Sequence, residues 1–136
     1  MAQLAIESRE KEGIRILDLS GKLTVGGASD LRERVNAEIA AGHLQQLLNL
    51  KDAEYIDSTG LGTMVICHMA VQRAGGALKL VNLNRRNIEL LVLTKLSTVF
   101  QIFNDEQDAI NSFFPDREIK RFDILAFVQQ QKEGGA

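Results

Sequence analysis

The 136-residue chain is 45% hydrophobic and 25% charged, the balance of one globular domain rather than of a disordered segment. Its 16 Lys and Arg against 18 Asp and Glu leave a net charge of −2, and aromatic residues make up 5%, which argues against nucleic acid as a partner. The single cysteine, Cys67, excludes a disulfide framework within these residues and a zinc site built on several thiolates.

A lone free cysteine fits a reducing compartment. Residues 1–10 are mixed and charged, unlike a signal peptide, and no apolar run reaches the ~18 residues of a membrane helix. A cytoplasmic location without membrane insertion is the expectation. Composition is even from Leu4 to Phe114, and the only proline, Pro115, acts as punctuation. The predicted division is therefore a compact domain over 1–114 and a C-terminal extension over 115–136.

Leu4 and Ile6 predict a first strand, residues 10–13 a turn, and Ile14, Ile16 and Leu19 a second strand ending at Gly21. Ala28, Leu31, Val35 and Ile39 recur at spacings of three and four and mark a helix, with Gly42 as its stop. Leu47, Leu48 and Leu50 predict a buried strand. Residues 61–74 predict a second helix stopped by Gly75 and Gly76, followed by a strand at Leu78, Leu80 and Val81. Ile88, Leu91 and Val92 suggest a third helix, and residues 99–103 a short strand. Asn104, with Gln107 three residues later, resembles a capping box opening a last helix through Phe113. This order predicts an α/β fold: a small mixed β-sheet flanked by about four helices, with a parallel strand–helix–strand unit over 47–81.

Chemical interest concentrates between the third strand and the second helix, in Tyr55-Ile56-Asp57-Ser58-Thr59-Gly60-Leu61-Gly62. In open α/β sheets, sites gather at the carboxyl ends of strands. Two readings of Ser58 stand at this point. It is a helix cap, a role for which Ser, Thr and Asp are all suited, or it is a phosphoacceptor. A phosphate there brings about −1.5 to −2 charges beside Asp57, and backbone N–H groups of the helix start face it. Gly60 and Gly62 remove side chains and let a partner approach. Met64, Val65, Ile66, Cys67, Met69, Ala70 and Val71 are too many for one core stripe, so this helix is either buried all round or carries an interaction face.

Enzyme motifs fail. There is no P-loop, no G-x-G-x-x-G and no G-x-S-x-G elbow. His43 and His68 lack metal-ligand spacing, and Ser58 has no evident base to make it a nucleophile. Cys67 reads as a small packed apolar residue.

The motif Ile56-Asp57-Ser58-Thr59-Gly60-Leu61-Gly62, with Leu19-Ser20-Gly21-Lys22-Leu23, Ala74-Gly75-Gly76-Ala77-Leu78 and the 100–110 segment, resembles the STAS domain and within it the bacterial anti-sigma factor antagonists. The resemblance covers residues 4–114. It implies a non-enzymatic binding module without a cofactor. Its implied partners are an anti-sigma factor that is also a serine kinase and a serine phosphatase of the metal-dependent class. It further implies Ser58 as the phosphoacceptor whose modification breaks the complex, Asp57 beside it at the docking surface, Gly60, Leu61 and Gly62 shaping the helix start that meets the partner, and Thr24 in a nearby loop; Thr59 in the motif and Met64 on the apolar helix complete the expected partner-binding residues. Three positions depart from the family's usual residues: Thr24 and Asn49 each stand where Asp is common, and Lys95 where Gly is common. The alternative is a STAS subunit of a larger lipid-transport or stress-sensing assembly, in which Ser58 is never phosphorylated.

The extension lies outside the resemblance. Ile119, Phe122, Leu125 and Ala126 suit a helical stripe and residues 122–128 suit a strand. Contact with another copy through this segment is one expectation, packing back on the domain another. Arg117, Lys120 and Arg121 read as a solvated basic face.

Overall fold

The computed structural model describes residues 4–119. Its elements follow the order β1 (Leu4–Lys11), β2 (Ile14–Leu23), α1 (Val25–Ala40), β3 (Gln45–Ile56), α2 (Ser58–Arg73), β4 (Ala77–Val81), α3 (Arg85–Leu93), β5 (Ile102–Phe103) and α4 (Glu106–Asn111). The five strands form one sheet in the order β1-β2-β3-β4-β5. β1 and β2 are antiparallel, and the remaining pairs are parallel. The predicted mixed sheet with four helices is the observed architecture.

Alternation along β2 and β3 supplies two cores. Leu17, Leu19 and Leu23, with Leu48 and Leu50, face α1, α2 and α3, which contribute Leu31, Val35, Leu61, Met64, Cys67, Val71, Ile88 and Leu91. Ile14, Ile16 and Leu47 point the other way and meet Val81, Phe103 and the Ala109–Ile110 turn of α4. α4 has only six residues and covers part of that second face. Where its cover ends the sheet turns polar. Arg9 forms ion pairs with Asp18, at 2.7 Å, and with Glu106. The Asn49 amide donates to Asp18 at 2.8 Å and its oxygen accepts from Asn82 at 3.1 Å. This explains one departure from the family's usual residues: at position 49 an amide donates where a carboxylate would repel Asp18.

Three local expectations are corrected. The last helix is capped by Asp105, whose carboxylate accepts from the Asp108 amide at 3.0 Å, and not by Asn104; Gln107 instead bonds Glu12 and Asn111. That helix stops at Asn111, before Phe113. The strand expected over 99–103 is confined to Ile102–Phe103, because a 3-10 turn over Leu96–Thr98 precedes it. Lys95 enters this turn at φ +63°, a left-handed conformation that favours glycine. Arg117 is exposed, and it also bonds Glu12 at 2.8 Å and lies over the Phe114 ring. The expectations for Phe122, Leu125, Ala126, Lys120 and Arg121, and for contact with another copy beyond residue 119, fall outside the described residues.

Two stability predictions follow from these contacts. Burial opposes ionisation of Asp18, but bonds from Arg9 and Asn49 outweigh it and hold its pKa below the ordinary value. A group lowered in this way stabilises the fold above its unfolded pKa of about 3.9 and loses that contribution as pH falls through the folded value. Asp18→Asn should therefore cost about 1 kcal/mol near neutral pH, with the gap to the parent closing below about pH 4, as measured by urea unfolding at a series of pH values. Lys95→Gly should gain about 1 kcal/mol by relieving the left-handed backbone, measured in the same way.

Candidate functional site

The site is built where β2 and β3 end together. Leu23 pairs with Ile56, and the Asp57 amide donates to the Leu23 carbonyl at 3.3 Å. The first turn of α2 then lies directly on that carbonyl. A methyl group at Gly60 would sit 2.8 Å from the Leu23 carbonyl carbon, closer than real side chains come. Gly60 is thus required by packing within the chain and is buried, which corrects the expectation that it opens room for a partner. Gly62 differs: it is exposed, and nothing lies within 4 Å of an added methyl group.

Thr24, the residue after Leu23, begins α1, and its carbonyl accepts from the Gly27 and Ala28 amides at 3.0 and 2.9 Å. The starts of α1 and α2 therefore stand side by side at the carboxyl edge of the sheet, and Thr24 is brought beside the Asp57–Ser58 segment as expected from sequence.

Capping of α2 falls to Asp57. Its backbone is extended, and its carboxylate accepts from the Gly60 amide at 2.8 Å. Ser58 is thereby the first helical residue, not the cap. Its side chain is exposed and makes no hydrogen bond among the described residues. With the Gly60 amide taken by Asp57 and the Leu61 amide by the Asp57 carbonyl, the Ser58 and Thr59 amides remain without intrahelical acceptors. Thr59 is also exposed.

α2 carries two apolar faces. Leu61, Met64, Cys67 and Val71 point into the core. Met64 is 0% exposed, so it supports the helix from beneath, a correction to its expected place at the docking surface; Leu61, at 5%, does the same. Burial pushes the Cys67 thiol up to about 11, leaving it protonated and inert at neutral pH. On the opposite side Ser58, Gly62, Ile66 and Met69 recur at spacings of four and three, with Ile66 50% and Met69 44% exposed. This stripe leads directly from the Ser58 hydroxyl. His68 lies on the core-facing side instead, edge-on to the buried Phe100 with centroids 5.2 Å apart.

Sequence reasoning missed three neighbours. Val25 is 73% exposed in the first turn of α1, where an apolar residue after the helix start was the available signal. Tyr55 and Arg86 form the other pair. β3 outruns β4, whose pairing stops at Asn49, so the carbonyls of residues 53–56 have no β4 strand beside them. The start of α3 takes their place. Asn87 donates to the Ala53 carbonyl at 3.1 Å, Asn84 to Glu54 at 3.3 Å and Arg86 to Ile56 at 3.2 Å. The Arg86 guanidinium also lies over the Tyr55 ring, 4.0 Å from its centre. Nothing in the local sequence signals this contact, because the partners are about 30 positions apart.

Among the described residues no group of three or more His, Cys, Asp or Glu side chains is arranged to hold a metal ion, and no helix is long and apolar enough to cross a membrane.

A mixed sheet whose carboxyl edge carries an Asp-capped helix with an exposed serine at its first position defines a small α/β module. The chain belongs to the STAS domain family, which it matches over residues 5–109. It is 34% identical over 97 residues to the anti-sigma-B factor antagonist of Bacillus subtilis (strain 168), covering 71% of this chain and 88% of that protein. Its fold is similar to that of an anti-sigma factor antagonist from Mycobacterium paratuberculosis, with a TM-score of 0.73 at 18% identity, covering 81% of this chain and 93% of the other. It is also similar in fold to the Bacillus cell fate determinant SpoIIAA in its phosphorylated form, with a TM-score of 0.62 at 17% identity over 79% and 98% of the two chains.

The two glycines of the motif should respond oppositely to a methyl group. Gly60→Ala should cost about 3 kcal/mol because the methyl group meets backbone. Gly62→Ala should be neutral or gain up to about 1 kcal/mol through helix propensity. Paired urea melts of the two variants check this.

Proposed function

We propose that this chain is a phosphorylation-switched binding module, an anti-sigma factor antagonist that docks on an anti-sigma factor with serine-kinase activity and is released when Ser58 is phosphorylated. The observation that carries this reading is the division of labour at the start of α2. Asp57 performs the capping, which leaves the Ser58 hydroxyl exposed and uncommitted at the head of an exposed apolar stripe. The name of the Bacillus subtilis relative supports the antagonist role.

Binding on this reading uses Thr24, Asp57, Ser58, Thr59 and Gly62, with Ile66, Met69 and Val25 supplying apolar area. A phosphate on Ser58 adds about −1.5 to −2 charges next to the Asp57 carboxylate. An acidic or apolar partner surface is then repelled or forced to desolvate that charge, and the fold need not change. The module itself transfers no group: the kinase supplies ATP, and a metal-dependent serine phosphatase restores the hydroxyl. It acts in the cytoplasm, and residues 1–114 are the switching unit.

Ser58→Ala should retain affinity for the kinase partner while accepting no phosphate. Ser58→Asp should weaken binding by about tenfold or more, about 1.4 kcal/mol per tenfold, measured by calorimetry with the purified partner. Equal affinities for the two variants would overturn the electrostatic account. Mass mapping of the protein from its own cells distinguishes Ser58 from Thr59, and an unmodified segment under every condition would favour a constitutive subunit instead.

A further inference from the structure

We propose that Arg86 is the cation that receives the phosphate on Ser58, so that phosphorylation draws its guanidinium off Tyr55 and remakes the surface at the end of β3. This inference rests on the reading of Ser58 as the phosphoacceptor.

Arg86 is exposed, and its present partners are all formally neutral. One amino group donates to the Ile56 carbonyl at 3.2 Å and to the Asn87 side-chain oxygen at 3.1 Å, and the guanidinium plane lies over Tyr55. Among the described residues it makes no ion pair with a carboxylate. A positive charge held only by a carbonyl, an amide and a ring exchanges those contacts for a phosphate dianion, because charge-assisted and bidentate hydrogen bonds are the stronger ones. The hold on Ile56 sets the location: the guanidinium is anchored to a carbonyl two residues before Ser58 in the chain, at the end of a long flexible side chain. Other charges around this edge include Asp57, whose carboxylate is engaged by the Gly60 amide, Lys22, which pairs in register with Tyr55, Glu54, and Arg85, which pairs with Glu89.

Phosphorylation then has two effects on a bound partner. It adds charge at Ser58, and it uncovers the Tyr55 ring, already 40% exposed, while releasing the Ile56 carbonyl. A partner that grips the stacked Tyr55–Arg86 pair loses that grip without any movement of the helices.

The chain is its own reporter, because it contains one tyrosine and no tryptophan. The experiment installs phosphoserine at position 58 during translation, so that no kinase is needed, and records Tyr55 emission together with the Arg86 side-chain N–H resonance by NMR. The expected result is a shift of both on phosphorylation, with the emission change lost in Arg86→Gln and kept in Lys22→Gln. An Arg86 resonance that does not move in the phosphorylated parent chain, or an emission change that survives Arg86→Gln, would overturn the inference. The resonance requires no variant, so it stands even if Arg86→Gln folds poorly. An unmodified Ser58 in cells would sink the phosphorylation reading alone. An unmoved Arg86 in a phosphorylated chain that still releases its partner would sink only this inference.

Discussion

The first turn of α2 rests on the carbonyl of Leu23 with no space for even a methyl group. That one approach, possible only at a glycine, determines the geometry of the whole edge. It brings the start of α2 down onto the end of β2 and puts the beginnings of two helices next to each other. It also turns Leu61 and Met64 inward, so the opposite side of the helix, from Ser58 to Met69, is the side left in solvent. A serine at the first position of such a helix is held by backbone on a rigid platform and yet has a hydroxyl committed to nothing.

Asp57 makes that arrangement durable. Because its carboxylate satisfies the Gly60 amide, the helix start does not depend on the Ser58 side chain. The residue that holds the structure is thereby separate from Ser58, the residue proposed to be modified. Had Ser58 been the cap, modification would have cost helix stability as well as changing the surface.

The long strand β3 requires a second accommodation. It extends past β4, and α3 covers the exposed carbonyls with Asn84, Asn87 and Arg86. This ties the fate of α3's first turn to the segment that leads into the site. The other face of the sheet solves its own exposure differently: α4 covers the apolar part, and the Arg9–Asp18–Asn49–Asn82 ladder makes the remainder compatible with water.

Much of this was legible in the sequence, and the reason is local. The alternation in Ile14, Ile16, Leu17 and Leu19 and the three-four spacing of Leu31 and Val35 depend on backbone geometry alone, so strands, helices and their order could be read directly. The Asp57–Gly62 motif marked the site by the same token, since capping residues and glycines act on their near neighbours. What sequence left open was which side each residue faces and what it meets across the fold. Whether Asp57 or Ser58 capped the helix was decided by which side chain reached the Gly60 amide. Met64 and Ile66 are alike as residues, but one is buried and the other half exposed because the Leu23 contact sets the rotation of α2. Lys95 holds a glycine-like backbone that its identity conceals. Arg86 stacks on Tyr55 because β3 outruns β4, a relation between segments about 30 residues apart. Local periodicity and capping chemistry are written in consecutive residues; facing, burial and cross-chain pairing arise only when the segments pack.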